Sequence, residues 1–134
     1  MTIPSTTLAE LKKLARDAAQ RAYAPYSSFR VGAAVLGRSG RIHIGVNVEN
    51  ASYGLSMCAE RSAVFRAIAE GERLIEAVCL YTSTATPSTP CGACRQVIHE
   101  LGPEALVLCC TDDDGVERRY ALSDLLPEAF RLPK

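Results

Sequence analysis

Three cysteines and one glutamate stand at spacings that suit a metal-dependent hydrolysis. Cys58 precedes Glu60 by two residues, and Cys91 precedes Cys94 by three. Structural zinc is usually closed by four protein ligands, whereas catalytic zinc takes three and keeps one position for water. Three thiolates leave that position to water, and a carboxylate beside a ligand is placed to exchange the water's proton. The pattern therefore predicts a zinc site made by Cys58, Cys91 and Cys94, with Glu60 as proton carrier.

The charge of such a site has to be offset. Three thiolates around Zn²⁺ leave a net negative charge of about one, which would weaken the effect of the metal on water. A helix N-terminus carries roughly half a positive charge, and both cysteine motifs stand at predicted helix starts. Two helix starts would then converge on one metal. Arg61 and Arg95 are further candidates to donate a hydrogen bond to a thiolate, and the spacing does not choose between them.

Other interpretations of the cysteines stay open at this point. A C-x-x-C motif at a helix start also suits a redox pair, because that position lowers thiol pKa values. Cys79, Cys109 and Cys110 lie in apolar runs, where cysteine is usually a small buried hydrophobe. Either Cys109 or Cys110 as a fourth ligand would close the site and favour a non-catalytic, zinc-stabilised binding or redox module. His43 is expected to be solvated or hydrogen-bonded, and His99 to lie on the surface.

Size and composition narrow the class of protein. The chain has 134 residues, 48% of them hydrophobic, which predicts a single domain over residues 1–134. Lys plus Arg and Asp plus Glu both number 15, so nothing in the charge balance favours a nucleic acid or an anionic membrane as partner. No apolar stretch approaches the ~20 residues of a membrane helix. The N-terminal residues do not resemble a signal peptide, so six cysteines predict a reducing compartment, by default the cytoplasm.

Hydrophobic periodicity and turn residues predict the order αββαβαββ with a short helix near the end. Such alternation favours a three-layer α/β/α sandwich around a mixed five-stranded sheet. Helix starts are predicted at Thr6 or Thr7, at Ser56, and at Thr89 followed by Pro90. The predicted elements are 7–22, 29–37, 41–48, 57–70, 74–82, 90–101, 105–111, 116–120 and 122–126. Alternation in the second strand puts Asn47 and Glu49 on one face.

Four ordered motifs, spread over nearly the whole chain, resemble cytidine deaminases of the short, homotetrameric type. They run from Tyr26 to Ala34, from Val46 to Gly54, from Cys58 to Arg61 and from Pro90 to Gln96. The resemblance implies a cytidine deaminase-like fold and a hydrolase acting on the C–N bond of a cyclic amidine. Such an enzyme would convert cytidine and 2′-deoxycytidine to uridine and 2′-deoxyuridine with release of ammonia, as a step of pyrimidine salvage. Blasticidin S-type deaminases share the zinc motifs and are the alternative within the same chemistry.

The resemblance also implies roles for single residues. It assigns one zinc per subunit to the three cysteines named above, proton transfer to Glu60, and a hydrogen bond onto a zinc-bound sulfur to Arg61. Further residues would bind the substrate. Phe29 would pack on the pyrimidine ring, and backbone groups around Ala59 would contact the edge of the base. Asn47 and Glu49 would hold the ribose 3′-hydroxyl.

Two further positions concern the assembly. In a homotetramer, Tyr53 and Phe130 would complete the pocket of a neighbouring subunit, with ordinary core or interface packing as the alternative. The resemblance makes the partner a small nucleoside, and Glu49 would repel a phosphate, which favours a nucleoside over a nucleotide or polynucleotide.

Overall fold

The order of helices and strands agrees with the sequence prediction. The computed structural model describes residues 2–134. The elements are α1 (Ser5–Ala19), β1 (Val31–Gly37), β2 (Ile42–Val46), α2 (Ala59–Ala69), β3 (Ile75–Thr82), α3 (Gly92–Leu101), β4 (Leu106–Cys110), β5 (Arg118–Ala121) and α4 (Leu122–Leu125). Short 3₁₀ turns lie at Tyr53–Leu55 and Asp114–Val116.

The five strands form one mixed sheet in the order β2-β1-β3-β4-β5. The β3–β4 pair is parallel, and the other three pairs are antiparallel. A parallel pair needs a crossover connection, which α3 provides. The loop that leaves the C-terminal end of the central strand β3 therefore leads directly into the start of α3.

Helices cover both faces of the sheet, which confirms the predicted sandwich. α1 packs on one face over Ala34, Cys79 and Leu108. The helices α2, α3 and α4 pack on the other, over Val35, Val78, Leu80, Val107 and Cys109 among others. Alternate residues of each central strand thus enter two separate apolar cores, because successive side chains of a strand point to opposite faces.

Two glycines bring helix backbones into direct contact with the sheet. A Cβ atom on Gly32 would lie 1.8 Å from the carbonyl oxygen of Ala15 in α1, and one on Gly45 would lie 2.2 Å from the nitrogen of Ala63 in α2. No side chain fits at such distances. The position of α2 over β2 is consequently fixed by backbone contact, and with it the position of the residues at the start of α2.

The predicted helix starts are wrong by two or three residues. The residue before α1 is Pro4, and the caps of α2 and α3 are Cys58 and Cys91 rather than Ser56 and Thr89. Ser56 Oγ accepts instead from the nitrogen of Asn50 at 3.0 Å. Ser56 thus supports the preceding loop, and Cys58 and Cys91 take the cap positions of α2 and α3.

The ends of β1 and β2 are also shorter than predicted, and the Asn47 side chain explains why. Its Oδ1 accepts from the nitrogen of Val31 at 2.8 Å, and its Nδ2 donates to the carbonyl of Phe29 at 2.8 Å. An amide group therefore takes the place of regular strand pairing there. Helix α1 ends before Tyr23 for a related reason, since the nitrogen of Tyr23 donates to the carbonyl of Asn47.

A buried histidine joins the end of α2 to the β1–β2 hairpin. His43 Nδ1 lies 2.6 Å from a carboxylate oxygen of Glu70, and Nε2 lies 2.8 Å from one of Glu72. Hydrogen bonding to His43 lowers the pKa of Glu70. Burial alone would raise the pKa of Glu72, but hydrogen bonds from Ser39 and His43 outweigh it and leave that pKa lowered. His43 is therefore hydrogen-bonded, one of the two expected situations, although it is buried rather than solvated.

Replacing His43 by alanine is expected to lower the free energy of unfolding at pH 7 by about 2 kcal/mol, because two carboxylates lose their partner. Groups with lowered pKa values stabilise the fold above their ordinary value of 4.5 and lose that contribution as the pH falls below it. The variant should therefore lose less stability than the wild type between pH 5 and about pH 3. Urea unfolding at each pH measures both effects.

The surface ion pair between Lys13 and Asp17 supplies the control for the His43 experiment. Lys13→Ala is expected to change the unfolding free energy by less than about 1 kcal/mol, because exposed pairs contribute little. Equal acid sensitivity of His43→Ala and wild type would contradict the role given to His43.

Over residues 2–134, no helix is long and apolar enough to cross a bilayer.

Candidate active site

Three thiols from two helix starts meet at one point. Cys58 lies 3.9 Å from Cys91, and Cys91 lies 3.3 Å from Cys94, measured between sulfur atoms. All three sulfurs are within 4.8 Å of one another. In a regular tetrahedron with Zn–S bonds of about 2.3 Å, neighbouring sulfurs are about 3.8 Å apart. The spacing of the three sulfurs therefore fits a zinc ion with these cysteines as ligands.

The hydrogen bonds around the cluster favour thiolates. Arg61 Nη2 donates to Cys58 Sγ at 3.3 Å, and the backbone nitrogen of Cys94 donates to Cys91 Sγ at 3.5 Å. Arg95 donates instead to the carbonyls of Pro90 and Leu125. Of the two arginines left open by the sequence, Arg61 is the one whose side chain reaches a sulfur of the cluster.

The acidities of two of these thiols differ for physical reasons. Burial alone would raise the pKa of Cys91, but hydrogen bonds from the backbone N–H of Cys94 and from the neighbouring thiols outweigh it and lower that pKa. Burial raises the pKa of Cys94, and the charge of Glu60 raises it further. A divalent cation at this point would offset the charge that keeps Cys94 protonated, which agrees with the donor set of a zinc site.

Glu60 lies in the first turn of α2 and is buried, with 5% of its surface exposed. Burial raises the pKa of its carboxyl group, while hydrogen bonds from its own backbone N–H and from Cys94, together with the charge of Arg61, oppose the shift. A carboxyl group whose pKa is raised above its ordinary value holds a proton more readily, which helps it both to accept and to return one. The environment of Glu60 therefore suits a proton carrier.

A cavity of about 280 Å³ opens beside the thiol cluster and Glu60. It brings together residues from the segment before β1, the segment after β2, the start of α2, the end of β3 and the loop before α3. The lining residues are Phe29, Val31, Asn47, Glu49, Ser56, Met57, Cys58, Ala59, Glu60, Leu80, Thr82, Ser88, Thr89 and Cys91. Most of the residues that the sequence analysis grouped thus line one cavity.

The two polar residues after β2 both line this cavity, but they form different hydrogen bonds. Asn47 is hydrogen-bonded through both atoms of its amide to the backbone of the segment before β1. Glu49 accepts from the nitrogens of Tyr26 and Ser27, at 2.9 Å and 3.1 Å, and from the hydroxyl of Ser27. The hydrogen bond from the Ser27 side chain is the main cause of a lowered pKa of Glu49. Glu49 is therefore an ionised, oriented acceptor.

Tyr53 and Phe130 do not line the cavity of their own chain. Tyr53, 78% exposed, borders a neighbouring hollow that shares Glu49 and Ser56 with the cavity. Phe130 is 68% exposed, and its carbonyl accepts from Gln96 Nε2 at 2.9 Å. The expected contact of these two rings with the substrate of a neighbouring subunit therefore stays a prediction.

Several polar and apolar residues of the cavity wall were not predicted from the sequence. Leu80 and Thr82 alternate along the end of β3, and Ser88 and Thr89 belong to the loop that follows. The alternation along β3 links these two residues, because residues two apart on a strand share a face. Leu80 enters the core beneath α2, so Thr82 lies on the same side of the sheet as the site. Met57 precedes Cys58 and forms part of the same wall.

The remaining cysteines stay outside the metal cluster. Cys79 and Cys110 lie under α1, on the opposite face of the sheet, with their sulfurs 3.6 Å apart. Cys109 is buried on the same face as the site. Within residues 2–134, the group of side chains close enough to hold a metal ion consists of Cys58, Cys91 and Cys94. The fourth protein ligand required by a closed zinc module is absent from that group.

The prediction for His99 is wrong. The residue is buried, with 8% of its surface exposed, and its Nε2 lies 3.4 Å from Nη2 of Arg131. The chain after α4 folds back over α3 and covers this side of the helix, which the sequence pattern did not reveal.

Comparison with known proteins agrees with the geometry of the site. A family model described as the cytidine and deoxycytidylate deaminase zinc-binding region matches residues 5–110. The cytidine deaminase of Halalkalibacterium halodurans is 47% identical over 120 residues, which cover 90% of this chain and 91% of the relative. That of Sporosarcina psychrophila is 42% identical over 123 residues, covering 92% and 88%.

Solved structures give the same result. The crystal structure of cytidine deaminase from Burkholderia pseudomallei superposes with a TM-score of 0.86 at 47% identity, covering 91% of this chain and 98% of that one. The enzyme from Mycobacterium tuberculosis gives a TM-score of 0.80 at 42% identity, covering 93% and 98%. Family model, relatives and structural neighbours agree with the three-thiol cluster beside Glu60, and the chain belongs to the cytidine and deoxycytidylate deaminase family.

Proposed function

We propose that this chain catalyses the hydrolytic deamination of cytidine and 2′-deoxycytidine to uridine and 2′-deoxyuridine, with release of ammonia. The observation that carries the proposal is the buried Glu60 carboxyl group in the wall of a cavity, beside three thiols at zinc-binding distances. A redox pair or a purely structural zinc site would not need a buried carboxyl group at this place. The family and the named relatives support the same reaction.

The zinc would be held by Cys58, Cys91 and Cys94, and when bound it supplies a Lewis acid that lowers the pKa of water. Glu60 then accepts the proton of the water that attacks C4 of the cytosine ring. The same carboxyl group passes this proton to N3, then takes up the proton of the new C4 hydroxyl and transfers it to the departing amino group. One buried carboxyl group thus serves as base and as acid, and the sum of the steps is cytidine plus water giving uridine plus ammonia.

Residues of the cavity wall would hold the nucleoside for this reaction. Phe29 would pack on the pyrimidine ring, and backbone groups at Ala59 would read the edge of the base. Asn47 would donate a hydrogen bond to the oxygen of the ribose 3′-hydroxyl, and Glu49 would accept one from that hydroxyl. All four residues line the cavity. Arg61 would donate a hydrogen bond to the zinc-bound sulfur of Cys58.

The lowered pKa of Glu49 bears on the class of substrate. An ionised carboxylate suits a free hydroxyl group and repels a phosphate at the same position. A nucleoside is therefore favoured over a nucleotide or a polynucleotide. Contacts limited to the 3′-hydroxyl do not separate ribose from 2′-deoxyribose, so both cytidine and 2′-deoxycytidine are expected to react.

The decisive experiment follows the ultraviolet absorbance of cytidine after addition of the zinc-loaded protein. Loss of cytidine absorbance, with ammonia formed in equal amount, is the expected result for cytidine and for 2′-deoxycytidine. Cytidine 3′-monophosphate is the control, and its deamination should be slower by at least about tenfold because its phosphate would lie against the charge on Glu49. Stable absorbance of both nucleosides at millimolar concentration would overturn the proposal.

We further propose that residues 1–134 form a single catalytic domain that assembles into a homotetramer and acts in the cytoplasm. One sheet with a core on each face supports the single domain. Three large apolar side chains are exposed, those of Tyr53, Leu55 and Phe130. Exposed apolar surface of this kind supports an assembly in which other copies of the chain cover it. Six free cysteines suit a reducing compartment. Light scattering measures the mass in solution, and a monomeric mass would exclude the tetramer.

A further inference from the structure

The turn before β1, residues 26–29, folds over the cavity and carries Phe29 at its end. Its backbone is closed by a hydrogen bond from the nitrogen of Ser28 to the carbonyl of Ala24, 3.0 Å long. Ser28 has a φ of 60°, a conformation that costs energy for a residue with a Cβ atom. A turn of this kind persists when its surroundings hold it in place. The bonds to Glu49 and Asn47 described above supply that support.

The hydroxyl of Ser27 joins two of the proposed substrate contacts. It donates to Oε2 of Glu49 and accepts from the backbone nitrogen of Phe29 at 3.0 Å. The side chain of Ser27 does not line the cavity. It therefore acts on the cavity through the carboxylate of Glu49 and through the backbone that carries the Phe29 ring.

The hydrogen bonds also distinguish the two oxygens of Glu49. Oε1 accepts from two backbone N–H groups, those of Tyr26 and Ser27. Oε2 accepts from the Ser27 hydroxyl. A carboxylate oxygen has two lone pairs, so Oε1 is saturated and Oε2 keeps one lone pair for a further donor. That remaining position suits a sugar hydroxyl.

We infer that Ser27 is a positioning residue, which holds Oε2 of Glu49 in place to accept a hydroxyl of the nucleoside sugar. The inference rests on the proposed function. Without the Ser27 hydroxyl, the long glutamate side chain regains rotational freedom at its outer end, and that freedom has to be lost again when substrate binds. The loss should fall on binding more than on the chemical step, because the sugar does not react.

The experiment compares Ser27→Ala with wild type on cytidine and on 3′-deoxycytidine, which lacks the hydroxyl that Glu49 would bind. For cytidine, KM is expected to rise about tenfold while kcat stays within about threefold. For 3′-deoxycytidine, KM should change less than about twofold, because the partner of Oε2 is already missing. Any effect that passes through Phe29 alone is common to both substrates and cancels in the ratio.

Two further variants keep the result interpretable. Ser27→Thr retains the hydroxyl at an exposed position and should restore the KM for cytidine to within about twofold of wild type. Ser28→Ala is the matched control, because the Ser28 hydroxyl makes no hydrogen bond within residues 2–134, and it should leave both substrates unchanged. Thermal unfolding and zinc content show whether each variant is folded and loaded.

The outcomes separate the inference from the function on which it rests. An equal rise in KM for both substrates, or no rise for either, with an active wild type would overturn the positioning role and leave deamination intact. A wild-type protein that turns over neither substrate would overturn the proposed function and the inference with it.

Discussion

Glu60→Gln is expected to retain one zinc per chain and to lose at least about 10²- to 10⁴-fold in kcat, the contribution usually made by a positioned acid or base. The amide has nearly the shape of the carboxyl group, so the cavity wall and the thiol cluster stay in place. It cannot accept the proton of water or deliver one to the cytosine ring. The loss therefore measures proton transfer rather than packing.

Zinc content by elemental analysis and turnover of cytidine by absorbance are the two measurements for Glu60→Gln. Glu104→Gln, an exposed carboxylate in the loop before β4, is the matched control and should retain wild-type turnover. Near-normal turnover of Glu60→Gln with stoichiometric zinc would remove Glu60 from the role of proton carrier. Another carboxyl group would then have to be found near the cavity.

Cys94→Ser is expected to abolish both stoichiometric zinc binding and activity. Cys94 is fully buried at the start of α3, and its sulfur completes the group formed with Cys58 and Cys91. A serine hydroxyl is a poor zinc ligand, because zinc prefers thiolate, imidazole and carboxylate donors. The remaining two thiols would bind the metal far more weakly. Dialysis against a chelator of moderate strength, followed by zinc analysis, measures the loss.

Cys109→Ala is the control for the metal experiment. Cys109 is equally buried on the same face of the sheet and lies outside the metal cluster. It should keep one zinc per chain and lose no more than about 1 kcal/mol of stability, since one small side chain atom is removed. If Cys109→Ala also lost its zinc, Cys109 would be a fourth ligand and the site a closed structural one.

The fold class was predictable because periodicity and turns are local signals. The run from Ile75 to Thr82 is apolar on both faces, as a central strand covered by helices must be, and the hairpin around Gly40 follows from spacing. The four motifs of the site were visible for the same reason: each is short and continuous in the chain. Their meeting at one cavity depends on the crossover through α3, which the order of elements also indicated.

The features that could not be predicted depend on side chains whose hydrogen-bond partners lie far away in the sequence. Nothing local shows that Asn47 bonds the backbone at Phe29 and Val31, so the ends of β1 and β2 were placed too far out. A hydrogen-bonded His43 was one of the two expected situations, but its burial between carboxylates from the end of α2 was not predicted. The burial of His99 under the C-terminal residues is of the same kind.

The contact between Gly45 and the backbone of α2 has a consequence for protein engineering. Only a hydrogen atom of Gly45 separates β2 from the backbone of α2. A shift of α2 that made room for a bulkier substrate would therefore break the packing between this helix and the sheet. The wall formed by Ser88 and Thr89 belongs to a connecting loop instead. Libraries that aim at modified pyrimidines should therefore vary that loop and leave the helix untouched.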